Sequence, residues 1–147
     1  MQMRKGKQNM EINANFIMEN GFVTEYQGTE KHVVVPAGVV GIGSSAFFGN
    51  KDLVSVTLPS GLREIEASAF SECKALEEIN LPDSVQVIGD EAFMLCSNLK
   101  HIRIPSGAQV YESAFWGCEK VQIEADDGFA FLTMDQALEG MQKEGII

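Results

Sequence analysis

The sequence predicts a solenoid: a mostly-β superhelix of short parallel strands, closed by a hairpin at one end and a helix at the other. Three observations carry this. Pro36, Pro59, Pro82 and Pro105 stand 23 residues apart. Phe47, Phe70 and Phe93 keep the same step of 23, and Phe115 arrives one residue early. Around them one unit recurs: VVVPAGVVGIGSSAFFGNKDLVS, VTLPSGLREIEASAFSECKALEE, INLPDSVQVIGDEAFMLCSNLKH and the shorter IRIPSGAQVYESAFWGCEKVQ. A fixed period of this length marks repeats that bury a continuous core only by stacking on one another.

Each element follows from local pattern. Residues 1–15 are polar and aperiodic and read as a loose tail. Residues 16–31 read as a capping hairpin. Phe16, Met18, Phe22 and Tyr26 flank Asn20-Gly21, a pair in which both residues tolerate positive φ. Residues 32–124 form the solenoid of about four coils. Every coil opens with a short strand ending at proline: 32–35, 55–58, 78–81 and 101–104. Alternation turns Val33/Val35, Val56/Leu58, Ile79/Leu81 and Ile102/Ile104 inward. Equal registers stack these strands as a parallel ladder, about 4.8 Å apart. Apolar residues then return at Val39/Ile42, Leu62/Ile65 and Val85/Ile88, with Tyr111 near the place of Ile88 in the last coil. Ala-Phe follows, and the rings should stack into a spine on the side opposite the ladder, in brief 3₁₀ or helical turns. The strand expected after Val121 is short, 122–124. Residues 125–147 read as the C-terminal cap, with a helix over 133–143: Thr133 and Gln136 make a capping-box pattern, and Met134, Leu138 and Met141 one apolar stripe. Both caps are required, because a terminal coil without one exposes core and a strand edge.

Composition narrows the function classes. The 147 residues carry 21 acidic and 11 basic side chains, a formal charge of -10. That charge argues against nucleic acid and anionic membranes as partners. No window holds the roughly 18 apolar residues of a membrane-spanning helix. The N-terminus lacks the apolar core of a signal peptide, so the chain reads as cytoplasmic if that N-terminus is native and as extracellular or cell-surface if a leader was removed.

No cofactor and no metal is expected. Cys73, Cys96 and Cys118 share one place in successive coils; a row of three thiols with Asn50 as its fourth member is no zinc tetrahedron, and it reads as buried reduced thiols. His32 and His101 lie three whole repeats apart, about 14 Å by ladder spacing, too far to share a metal or a proton. The glycines of GVVGIGSSAF lack the Gly-Lys-Ser/Thr of a phosphate loop, and ADDG at 125–128 has too few spaced oxygens for calcium. The outward ladder positions remain: His32, Val34, Ser55, Thr57, Glu78, Asn80, His101 and Arg103, with Gln122 and Glu124 beyond. The core needs none of these side chains, and they vary while the inward ones stay alike. They are the candidate partner-binding face. Phe48 and Trp116, each following a spine phenylalanine, serve either contact or packing against a cap.

The units resemble BspA-like leucine-rich repeats, whose unit reads roughly Leu-x-x-Ile-x-Ile-Pro-x-x-Val-x-x-Ile-Gly-x-x-Ala-Phe-x-x-Cys. Leu53, Val56, Leu58, Pro59, Leu62, Ile65, Ala69, Phe70 and Cys73 fill it, as do Leu76, Ile79, Leu81, Pro82, Val85, Ile88, Gly89, Ala92, Phe93 and Cys96. The first unit has Asn50 at the cysteine place, and the second has Glu66 at the glycine place. The resemblance implies a curved, right-handed leucine-rich repeat superhelix of the α/β (here mostly β) kind. It also implies a role in adhesion or protein binding. The expected function is therefore a non-catalytic module for protein–protein or surface interaction, as a monomer or weak homodimer. A structural or self-associating unit is the alternative, with the ending GII as a possible contact. An enzyme is the remote one, since no coil brings two titratable groups into a cleft.

Overall fold

The computed structural model describes residues 15–126 and 128–132. Most of the tail expected at 1–15 and the whole helix expected at 133–143 lie outside them. Within them the chain is a β-solenoid. Strands β1 (Phe16–Glu19) and β2 (Phe22–Tyr26) are antiparallel and joined at Asn20-Gly21, whose φ angles of 53° and 84° are the positive values that such a turn requires. Each coil then adds two strands. The first set is β3 (His32–Val34), β5 (Ser55–Thr57), β7 (Glu78–Ile79) and β9 (His101–Arg103), completed by β11 (Gln122–Glu124). The second set is β4 (Gly41–Ile42), β6 (Glu64–Ile65), β8 (Val87–Ile88) and β10 (Gln109–Val110).

The first set is the expected ladder. It forms a 5-stranded sheet, parallel throughout, with Val33, Val56 and Ile79 and then Ile102 buried beneath it. The second set is a finding beyond the sequence reading. What read as a turning segment belongs to a second sheet of 6 strands, ordered β1-β2-β4-β6-β8-β10 and parallel from β2 onward. Its members in the solenoid are two residues each, too short to display an alternation. One registration is corrected here. Val110, not Tyr111, pairs with Ile88, because the residue missing from the fourth coil is lost before β10 rather than after it. Val110 is fully buried, and Tyr111 instead bridges to Leu132.

The third side of the coil holds the spine. It is built of hydrogen-bonded turns, with a 3₁₀ stretch at Glu112–Phe115. Here too the coils bond to each other: the amides of Phe47, Phe70 and Phe93 donate to the carbonyls of Ala69, Ala92 and Ala114 at 2.8, 2.7 and 2.8 Å. The rings stack with centroids 4.8 Å apart for Phe47–Phe70 and 5.3 Å apart for both Phe70–Phe93 and Phe93–Phe115. Tyr26 stacks on Phe47 at 4.9 Å and Phe16 leans on Tyr26, so the hairpin continues the column rather than merely covering it. At the other end Phe131 meets Phe115 edge-on and stops the stack. A bulge between Ile17 and Met18 shifts the hairpin register, and both of those side chains are exposed while Phe16, Val23 and Tyr26 are buried.

Candidate binding face

Alternation along each ladder strand settles which side chains leave the core. With Val33, Val56, Ile79 and Ile102 inward, their flanking residues must point outward. His32, Val34, Thr57, Glu78, Asn80, His101 and Arg103 are exposed, and Ser55 is half-buried. The row His32–Ser55–Glu78–His101–Gln122 is paired position by position across five strands. A shallow groove of about 510 Å³ lies on this face, lined among others by Ser55, Thr57, Glu78, Asn80, Lys100 and His101. The small side chains of Ser55 and Thr57 leave the space, and the longer Lys100 and His101 bound it.

Most polar groups of the face are already engaged across one coil step. The Nδ1 of His32 lies 2.7 Å from Ser55 Oγ, and the Nε2 of His101 lies 3.1 Å from Glu124 Oε2. Arg103 donates to Asp83 at 3.2 Å. Lys100 donates to Glu77 at 2.8 Å. That hydrogen bond and its charge hold the Glu77 carboxyl below its ordinary value and the Lys100 ammonium above its own. The Lys100–Glu77 and Arg103–Asp83 ion pairs are solvent-exposed, so each holds its geometry weakly and exchanges readily for a partner's charge.

Asn80 differs from the rest. Its amide donates to the Leu58 carbonyl at 3.2 Å, and its Oδ1 accepts from the Leu58 N–H at 2.8 Å. At two other steps of the ladder the backbone does this work: Val35 N–H donates to Thr57 O at 2.9 Å and Ile104 N–H to Glu124 O at 2.8 Å. On the β5 side the Asn80 side chain thus takes the place of a ladder bond just past the end of β7 at Ile79. The expectation that the core needs none of the outward side chains fails at this residue. An asparagine side chain mimics a peptide group, and that chemistry was the available signal.

The thiols are buried and free. Each also satisfies a carbonyl: Cys73, Cys96 and Cys118 donate to Phe47, Phe70 and Phe93 of the preceding coil at 3.1, 3.1 and 2.9 Å. Burial pushes the Cys73 thiol up to about 12. Contact with Cys118, together with burial, raises Cys96 as well. Among the described residues no three His, Cys, Asp or Glu side chains gather as metal ligands.

Beyond the ladder, Phe48 and Trp116 are exposed at 51% and 55%. Leu95 joins them at 40%, and pattern reading missed it because it occupies the place that glycine takes as Gly49 and Gly117. It keeps that place's positive φ, 60°, which bulky side chains rarely adopt.

A family model described as BspA type leucine rich repeat region matches residues 17–135 in 6 copies, taking in the hairpin and residues beyond β11 as well as the proline-marked units. None of the curated proteins matches the chain. Among solved structures, the T. pallidum leucine-rich repeat protein TpLRR is 27% identical with a TM-score of 0.58, over 74% of this chain and 66% of its own. A leucine-rich repeat protein from Bacteroides capillosus is 25% identical with a TM-score of 0.62, over 74% of this chain and 91% of its own. A leucine-rich cell surface protein from Faecalibacterium prausnitzii is 26% identical with a TM-score of 0.51, over 80% of this chain but 37% of its own.

Proposed function

The chain belongs to the BspA-type leucine-rich repeat proteins, and from that membership we propose that it is a non-catalytic binding module whose ladder face meets a protein partner. The observation that carries this reading is the contrast along the ladder. Inward positions are uniformly Val, Leu or Ile. The outward ones change from His and Val to Ser and Thr, then Glu and Asn, then His and Arg. Apart from Asn80, whose amide bonds to Leu58, stacking demands only the first set, and the groove lies among the second. Repeat folds commonly bind through such extended faces.

The chemistry of the face supports a contact role over a reaction. The His32–Ser55 pair is half of a nucleophilic arrangement. A working one also needs an orienting acid on the far ring nitrogen and donors for an oxyanion. On this open face the row places Glu78 beyond Ser55, away from the ring. The proposed location is the cell surface, by likeness to the F. prausnitzii protein described as one. Among the described residues no helix is long and apolar enough to cross a membrane.

Arg103 is the face's one arginine, the side chain type most often dominant at interfaces. In pull-downs, Arg103→Glu should lower recovery of a specific partner about tenfold, the loss of one strong anchor. A Glu72→Lys control on the spine side should not. Equal recovery of every partner by the native chain and Arg103→Glu would remove the ladder face as the binding site.

A further inference from the structure

Strand β3 is the outermost strand of the ladder: β5 lies on one side, and among the described residues no strand lies on the other. Its backbone groups can be assigned by direction. Val35 N–H donates to Thr57 O at 2.9 Å and Lys31 O accepts from Val54 N–H at 2.7 Å, so residues 31, 33 and 35 face β5. Alternation then turns the N–H and C=O of His32 and Val34 toward the open edge. Beside that edge is a groove of about 440 Å³ walled by Phe16, Tyr26, Val33, Val35 and Pro36, with Glu30 as its one carboxylate. Val34 is 64% exposed, and its counterparts on the other ladder strands are Thr57, Asn80, Arg103 and Glu124. Among the described residues the ladder has two edge strands, β3 and β11, and the outward residue in this row is apolar on β3 and charged on β11.

We propose that the partner of the ladder face docks in part as an added strand on β3. The occupant is an extended peptide segment bonded to the backbone of His32 and Val34. Its apolar side chains lie over Val34 and in the groove, and a lysine or arginine sits opposite Glu30. This rests on the ladder-face reading and adds the partner's conformation and charge. Among the described residues these four backbone groups have no strand partner, and such a row is a template that another extended backbone fills. The apolar walls then select alternate side chains, and Glu30 selects the cation.

The test is amide hydrogen exchange by NMR on the full chain, with and without the synthetic peptide acetyl-Lys-Val-Thr-Val-Thr-Val-amide. Saturating peptide should slow the His32 and Val34 amides about tenfold and leave Val33 and Val35, already bonded to β5, unchanged. Glu30→Lys, a change at an exposed side chain, should weaken the peptide several-fold. Failure of the peptide to slow either amide at millimolar concentration would overturn the proposal. So would His32 and Val34 amides that exchange as slowly as Val33 and Val35 in the free protein, since the edge would then be filled within the chain. The two readings separate cleanly. Loss of a partner on Arg103→Glu without edge protection keeps the ladder face and removes strand addition; edge protection without an Arg103 effect does the reverse.

Discussion

Replacing Asn80 with alanine separates a structural outward residue from a merely exposed one. The amide of Asn80 makes two bonds to Leu58, at 2.8 and 3.2 Å, and Leu58 is 3% exposed. Removing the side chain leaves a donor and an acceptor in a crowded strand. Each intramolecular hydrogen bond contributes about 0.5–1.5 kcal/mol net, and a stranded buried group costs more than the bond was worth. The expected loss is therefore about 1–3 kcal/mol, or a fall in Tm of about 4–12 °C for a domain of this size. Thermal and urea unfolding followed by far-UV circular dichroism measures both. Thr57→Ala, on the same face with no side-chain bond to the backbone of a neighbouring coil, is the matched control and should stay within about 0.5 kcal/mol. Asn80→Asp tests the mechanism, since it keeps the acceptor for Leu58 N–H but turns a carboxylate oxygen toward Leu58 C=O. It should recover little of the loss. If Asn80→Ala unfolds like Thr57→Ala, the amide does not carry the ladder bond, and Asn80 returns to the set of free outward residues.

Two further outcomes follow from the core. Phe70 is fully buried between two stacked rings, and Phe70→Ala should cost about 3–5 kcal/mol, while Phe115→Ala, whose ring is 9% exposed and capped edge-on, should cost less; equal losses in urea unfolding would contradict a stacked spine. Cys73 has its folded value raised from 9.0 to about 12, so the protonated thiol favours the native state below pH 9 and that contribution is lost as pH rises from 9 toward 12. Cys73→Ala should flatten the alkaline limb of the stability curve, and an unchanged limb would show that the thiol does not drive it.

How far pattern reaches is clearest in the hydrogen bonds between coils. The period of 23 determined that like residues touch like residues. The Phe spine, the inward Val/Leu/Ile rows, the outward rows and the thiol row all follow from that one number, because equal coil lengths permit only one stacking register. The hairpin turn was also legible, since Asn20-Gly21 announces its own backbone angles.

What the tertiary structure alone decided lies one coil step away in sequence. Within the coils the second sheet is made of two-residue strands, and two residues hold no periodicity to read. The bond from Asn80 to Leu58 spans 22 residues and that from Cys73 to the Phe47 carbonyl spans 26, so neither leaves a local trace. The shift from Tyr111 to Val110 turned on where one residue was dropped, which only pairing with Ile88 could locate. The open edge of β3 belongs to the same class. A strand's partners are set by where the chain goes next, and composition is blind to that.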